Sequence, residues 1–156
     1  MDARFAVEIG TYIGDWAMLW CKTNPKLHLT CIDPYRAYEG RPLQETQDEI
    51  YKTALENLKP YNANIIRKAS MDAVDDFADS SLDFVSIDGD HSFDAAVMDL
   101  IRWCPKVRKG GLVAVHDYTA NQGPHVIMAV NAYTHCHNIS PWYSTMDWTP
   151  TVFWEA

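Results

Sequence analysis

The sequence predicts an α/β fold: a Rossmann-like, doubly wound, mostly parallel sheet with a C-terminal antiparallel hairpin. Three observations carry that expectation. Short apolar runs alternate with amphipathic stretches along the 156 residues, the pattern of parallel strands joined by right-handed crossovers with helices on both faces. The first apolar run ends in the turn Gly10-Thr11-Tyr12-Ile13-Gly14, where glycines let the backbone bend sharply and come close to a ligand. Polar residues then recur just after successive runs: Glu8 and Gly10, Asp33, Ser70, Asp88 to His91, and His116-Asp117. Open α/β sheets bind ligands on that carboxyl rim.

Taken in order, Phe5 to Ile9 reads as the first strand and Ile13 to Cys21 as a helix. His28 to Ile32 is the next strand, and Gly40 to Gln47 the most loop-like interior stretch. Leu43 to Leu58 reads as a long amphipathic helix, with Ile50, Ala54 and Leu58 at i, i+4 and i+8. Asn64 to Arg67 is a short strand and Met71 to Phe77 a short helix. Leu82 to Ile87 is an almost unbroken apolar run, as a strand buried on both faces requires. Asp90 or Ser92 caps the following helix, which carries Phe93, Val97, Leu100 and Ile101 on one face and stops before Pro105. Gly110-Gly111 turns into a strand over Leu112 to Val115, Val126 to Tyr133 is helical, and Trp142 to Trp154 supplies two closing strands.

The chain is expected to form a single domain over 1–156, since its length suits one core and its composition (47% hydrophobic, 22% charged) is ordinary. A net charge of -8 disfavours nonspecific binding to nucleic acid or anionic membranes. No run is long enough to span a membrane. No secretory leader reads out of the first residues, and Cys21, Cys31, Cys104 and Cys136 form no CxxC pair. Buried free thiols and a cytoplasmic location are therefore expected.

The glycine spacing separates two ligand classes. A dinucleotide site needs G-x-G-x-x-G, so that a pyrophosphate can rest on bare backbone. Here the pattern is E-x-G-x-x-x-G: Thr11 and Tyr12 crowd the turn, and Glu8 repels phosphate. Asp33, about 20 residues on, suits two ribose hydroxyls. A ribose ligand with a cationic or zwitterionic end and no phosphate fits both features, as S-adenosylmethionine does. An NAD-type dehydrogenase is the disfavoured rival.

Asp88-Gly89-Asp90-His91 and His116-Asp117 follow two strands expected to be neighbours. Crowded carboxylates repel unless a cation joins them or one is protonated, and a divalent metal is the natural partner. Surface caps and loop-end residues are the plainer alternative for each motif.

At this point the chain resembles the class I S-adenosylmethionine-dependent methyltransferases, and among them the metal-dependent O-methyltransferases of the catechol, caffeoyl-CoA and macrolide-sugar types. Glu8-Ile9-Gly10-Thr11-Tyr12-Ile13-Gly14 matches their E-L/I-G-x-Y-x-G turn. Asp88 and His91 match a D-x-x-K/H motif, which implies a metal ligand and a catalytic base. His116 and Asp117 fall where a metal-binding pair stands, so the resemblance implies metal ligation by Asp88, His116 and Asp117. It further implies that Glu8 and Gly10 line the methionine end and that Thr11, Tyr12, Gly14 and Asp88 also bind the cofactor. Asp33 takes the ribose; Pro34, Ser70 and Met71, with Tyr35 and Asp72, surround the adenine. Two departures stand out. His116 replaces a carboxylate, so either the metal is manganese, iron, cobalt or zinc rather than magnesium, or His116 is not a ligand. Trp16 replaces a small hydroxyl residue. The sequence reads as a minimal version without N-terminal lid helices, so a homodimer partner is one way to close the site.

The implied reaction is in-line methyl transfer to a hydroxyl of a small molecule or sugar, with His91 taking the proton. A metal-free or non-catalytic cofactor-binding protein is the alternative. Trp142, Tyr143, Trp148 and Trp154 line an acceptor pocket or close the core; His125, His135 and His137 read as surface.

Overall fold

The structure, a computed structural model, describes residues 3–37, 43–121 and 123–156. Its strands are β1 (Phe5–Ile9), β2 (His28–Ile32), β3 (Ala63–Ile66), β4 (Leu82–Ile87), β5 (Val107–Val115), β6 (Tyr143–Ser144) and β7 (Val152–Glu155). They form one sheet in the order β3-β2-β1-β4-β5-β7-β6. The pairs from β3 to β5 are parallel, and β7 is antiparallel to both β5 and β6. The expected closing hairpin is therefore present. The chain reverses its direction of travel across the sheet between β1 and β4, and a crevice opens at the carboxyl ends there.

The helices are α1 (Asp15–Thr23), α2 (Gln44–Leu58), α3 (Ser70–Ala73), α4 (Phe93–Trp103) and α5 (His125–Cys136). Part of the Gly40–Gln47 stretch, residues 40–42, lies outside the described residues, and Gln44 onward is already helical. A 3-10 turn over Val74–Asp76 continues α3, because the expected Met71–Phe77 helix tightens in its second half.

Strand alternation sorts the core into two halves. Val7, Ile9, Val85, Ile87, Val113 and Val115 face α4 and α5, with Leu100 and Trp103 packed beneath. Ala6, Leu29 and Cys31 face the other way, against Ala17 and Cys21 of α1 and Leu58 of α2.

Two expectations are corrected. Gly110-Gly111 is not a turn before the strand but a bulge inside it. Pairing jumps from Leu82–Val107 to Phe84–Leu112, and Gly110 has φ 75°. A Cβ on Gly111 would lie 2.8 Å from the Asp83 carbonyl oxygen, so the bulge presses backbone on backbone. In α4 the buried stripe is Ala96, Asp99, Leu100 and Trp103, while Phe93 and Ile101 stay exposed. Ser92, not Asp90, caps that helix, its Oγ accepting from Ala95 N at 3.4 Å. His125, His135 and His137 are exposed, as expected. Trp154 is core, whereas Trp148 and Tyr143 are exposed. Among the described residues no helix is long and apolar enough to cross a membrane.

Candidate active site

The site is built on the ends of β1, β2, β4 and β5. Gly10 has φ 82°, and its N–H bonds to the Ile32 carbonyl at 2.9 Å. A Cβ there would sit 1.9 Å from the Asp88 carbonyl oxygen. Only glycine lets the first turn press against the end of β4, and this contact sets the floor of the crevice. Gly14 is also left-handed and opens α1. The intervening turn is fastened to the end of β2: Asp33 Oδ2 accepts from Thr11 N and Tyr12 N, both at 3.1 Å. Asp33 Oδ1 accepts from Tyr35 N at 2.9 Å. Asp33 thus faces the Gly10 turn.

Glu8 is 3% exposed, and its Oε2 has no hydrogen-bond partner. Burial pushes its carboxyl up to about 8, despite the Thr11 hydroxyl and Cys31 thiol beside it; Asp88 and Asp33 add to the rise. The Thr11 hydroxyl is likewise buried without a partner.

The motifs after β4 and β5 converge. His91 Nε2 is 3.3 Å from Asp88 Oδ1 and 3.3 Å from Asp117 Oδ2. His116 Nδ1 is 3.4 Å from Asp88 Oδ1 and 3.5 Å from Asp117 Oδ1. These last two separations are loose, and His116 Nδ1 and Asp117 Oδ1 are buried without a well-formed hydrogen bond. Asp88, His116 and Asp117 offer ligand atoms all within 4.8 Å of one another. Burial alone would raise the Asp88 carboxyl, but His116 and His91 outweigh it and hold it below the ordinary carboxylate value. The contact with Asp88 in turn lifts the His116 imidazole, against the opposing effect of burial. Asp117 takes a left-handed backbone, with φ 57°.

The residues expected around an adenine are mostly engaged within the fold. Ser70 Oγ donates to Asp99 and accepts from Trp103 Nε1 at 2.7 Å, so its hydroxyl is engaged within the core. Met71 packs against the larger core half. Tyr35 is 1% exposed, its ring set against Tyr51 and its hydroxyl on the Tyr12 carbonyl at 3.0 Å. Pro34 is partly buried and Tyr12 largely exposed at the rim. Asp99 is the residue that sequence reading missed. It is buried beneath Gly89, and burial raises its carboxyl to about 6.

Beside the cluster a cavity of about 270 Å³ runs down the face of the sheet between α1 and the C-terminal hairpin. Glu8, Asp88 and His116 form its inner end, and Trp16 lies 5.9 Å from the His116 ring.

Residues 7–118 match the model of a family described as a methyltransferase domain. The chain belongs to that family, and its fold is that of the S-adenosylmethionine-dependent class. A solved O-methyltransferase from Bacillus cereus in complex with SAH superposes with a TM-score of 0.69 at 15% identity, covering 99% of this chain and 75% of that one. The O-methyltransferase NovP superposes with a TM-score of 0.72 at 19% identity, covering 96% and 70%. Protein y4gI of Sinorhizobium fredii, described as uncharacterized, is 28% identical over 120 residues, or 73% of this chain. The chain spans only 13% of that relative's length.

Proposed function

We propose that the domain transfers a methyl group from S-adenosylmethionine to a hydroxyl of a small molecule or sugar, with a divalent metal assisting and His91 as the base. The observation that carries this reading is the convergence of Asp88, His91, His116 and Asp117 beside a buried Glu8 carboxyl whose Oε2 has no partner. O-methylation is also the activity named for the B. cereus and NovP structures.

The residues suit both groups. A buried carboxyl aimed at a cleft without a hydrogen bond is matched by a ligand ammonium or sulfonium. Glu8 and Asp88 would hold that end, and Asp33 would share its oxygens with the ribose. Asp88, His116 and Asp117 would hold a metal, the imidazole favouring manganese, iron, cobalt or zinc over magnesium. Bound there, such an ion lowers the pKa of an acceptor hydroxyl, and the sulfonium supplies an electrophilic methyl. The chain's own work is then positional and protolytic. Asp88 and Asp117 fix His91 Nε2 between them, so the imidazole meets the acceptor proton from one direction. The Gly10 turn and the β4 end hold donor and acceptor in line.

A second reading rests on the same distances. His91 and His116 each approach both Asp88 and Asp117; two imidazolium groups would neutralise those carboxylates without metal and leave a cofactor-binding domain. Calorimetry with S-adenosylmethionine, followed by turnover with and without manganese, separates the two. Under the first reading, His91→Ala lowers kcat by about 100-fold or more and leaves cofactor affinity in place. Unchanged turnover in that variant would remove His91 as the base.

A further inference from the structure

The cavity beside the cluster has a composition that says what it takes. Its walls are aromatic: Trp16 and Trp20 of α1 face Phe84 of β4 and Phe153 of β7. Its ionisable lining is acidic, Glu8, Asp88 and Asp147, with His116 beside them and, among the described residues, no lysine or arginine. Glu8 Oε2 is buried and without a partner at its inner end. Asp147 stands at the outer end, on the exposed segment between β6 and β7, and forms no hydrogen bond or ion pair among the described residues. The methyl donor and the metal account for Glu8, Asp88, His116 and Asp117; nothing in that chemistry employs Asp147.

We propose that the acceptor is an organic cation, a hydroxyl compound carrying a protonated amine, which lies between the aromatic walls with its ammonium against Asp147. This rests on the methyltransferase reading and adds the acceptor's charge to it. Aromatic faces attract a desolvated cation by their quadrupole. An acidic cleft with low-dielectric walls concentrates cations and repels anions. Acceptors bearing a carboxylate, a phosphate or a nucleotide handle meet the Asp88 and Asp147 carboxylates and, among the described residues, no lysine or arginine, so the cleft selects against them. Asp147 is the specificity-determining residue because it alone of the three acids is free of the donor and the metal.

The test uses three acceptors with one phenol body and different charge: tyramine, para-ethylphenol and para-hydroxyphenylpropionate. Binding of each is measured by calorimetry, with S-adenosylhomocysteine titrated in parallel. Tyramine is expected to bind about five-fold more tightly than the neutral phenol, and the carboxylate more weakly than either, a spread that shrinks in high salt. Asp147→Asn brings tyramine close to the neutral phenol, and Asp147→Lys places the carboxylate ahead of tyramine. Trp16→Leu weakens all three while keeping their order. The proposal is overturned if tyramine shows no binding at millimolar concentration, if the three bind alike, or if the order survives Asp147→Lys. S-adenosylhomocysteine failing to bind would instead overturn the methyltransferase reading, and the charge order would still be read by itself.

Discussion

A carboxyl group buried without a hydrogen bond is costly unless it is protonated or meets a cation. Glu8 is buried with its Oε2 unpartnered, and burial pushes its carboxyl up to about 8. A raised carboxyl contributes stability that is fully present below its unfolded value and is lost as pH rises through the folded one. The window here runs from about pH 4.5 to about pH 8, and the loss is on the order of 5 kcal/mol. Glu8→Gln should therefore match the wild type in denaturant stability near pH 4 and exceed it near pH 9. A bound cation reverses the balance. At pH 7 the free protein holds Glu8 mostly protonated, so a sulfonium ligand should release up to one proton on binding. Calorimetry in two buffers of different ionisation heat would record that release in the wild type and none in Glu8→Gln; equal release in both would show that Glu8 does not meet the ligand. Gly10 makes a harder demand. A methyl group 1.9 Å from the Asp88 carbonyl oxygen cannot be accommodated without moving β1 from β4. Gly10→Ala is expected to cost about 3 kcal/mol or more, seen as a fall in Tm together with lost cofactor affinity.

At the scale of elements, α4 shows both what a sequence discloses and what it hides. Its start, its end before Pro105 and its capping serine are local features, fixed by backbone chemistry within a few residues. The face it buries is a tertiary matter. Phe93 and Ile101 look like core residues by type, yet Asp99 takes the inward position, in step with Ala96, Leu100 and Trp103 at helical spacing. An acid in an apolar stripe was the available signal; what answers it, the Ser70 hydroxyl at the head of α3, is 29 residues away in the chain. The Gly110-Gly111 bulge was hidden for the same reason, since its cause is the backbone of β4 against that of β5. The rim residues were legible because strand ends are local and their shared side follows from parallel pairing. Asp99 gives a clean element-scale prediction. Burial raises its carboxyl from 3.8 to about 6, so its contribution is present below pH 3.8 and fades through pH 6. Asp99→Asn keeps an acceptor for Ser70 and should gain at most about 3 kcal/mol at pH 8, with little change at pH 3.5. Ser70→Ala should lose about 1–3 kcal/mol, because Asp99 and the Trp103 N–H are then left without that partner in the core. Urea titrations at the two pH values check both.

At the scale of the whole molecule, the Gly10 turn and the Asp88, His91, His116 and Asp117 cluster lie on the seam between β1, β4 and β5, where the order of strands across the sheet reverses. A ligand that grips the seam therefore braces both halves of the fold. Anything that binds only the folded state stabilises by mass action, about 2.7 kcal/mol at a hundred times its Kd. For a domain of this size that corresponds to roughly 5–10 °C in Tm. Manganese should give such a rise, and magnesium at the same concentration a smaller one, because His116 offers nitrogen where magnesium seeks oxygen. His116→Asp makes the shell all oxygen and should move the preference towards magnesium. If Asp117 holds the ion, Asp117→Asn should lose the response to both ions, since it removes the charge of a buried carboxylate whose Oδ1 stands unpartnered. The responses of these three proteins to the two ions discriminate as a set. A wild type indifferent to manganese would mean that the two imidazoles already neutralise Asp88 and Asp117, and that the acceptor proton is removed without a metal or not at all. A wild type responding equally to both ions, with His116→Asp unchanged, would keep the metal but take His116 out of its shell, leaving that imidazole to orient Asp88 alone.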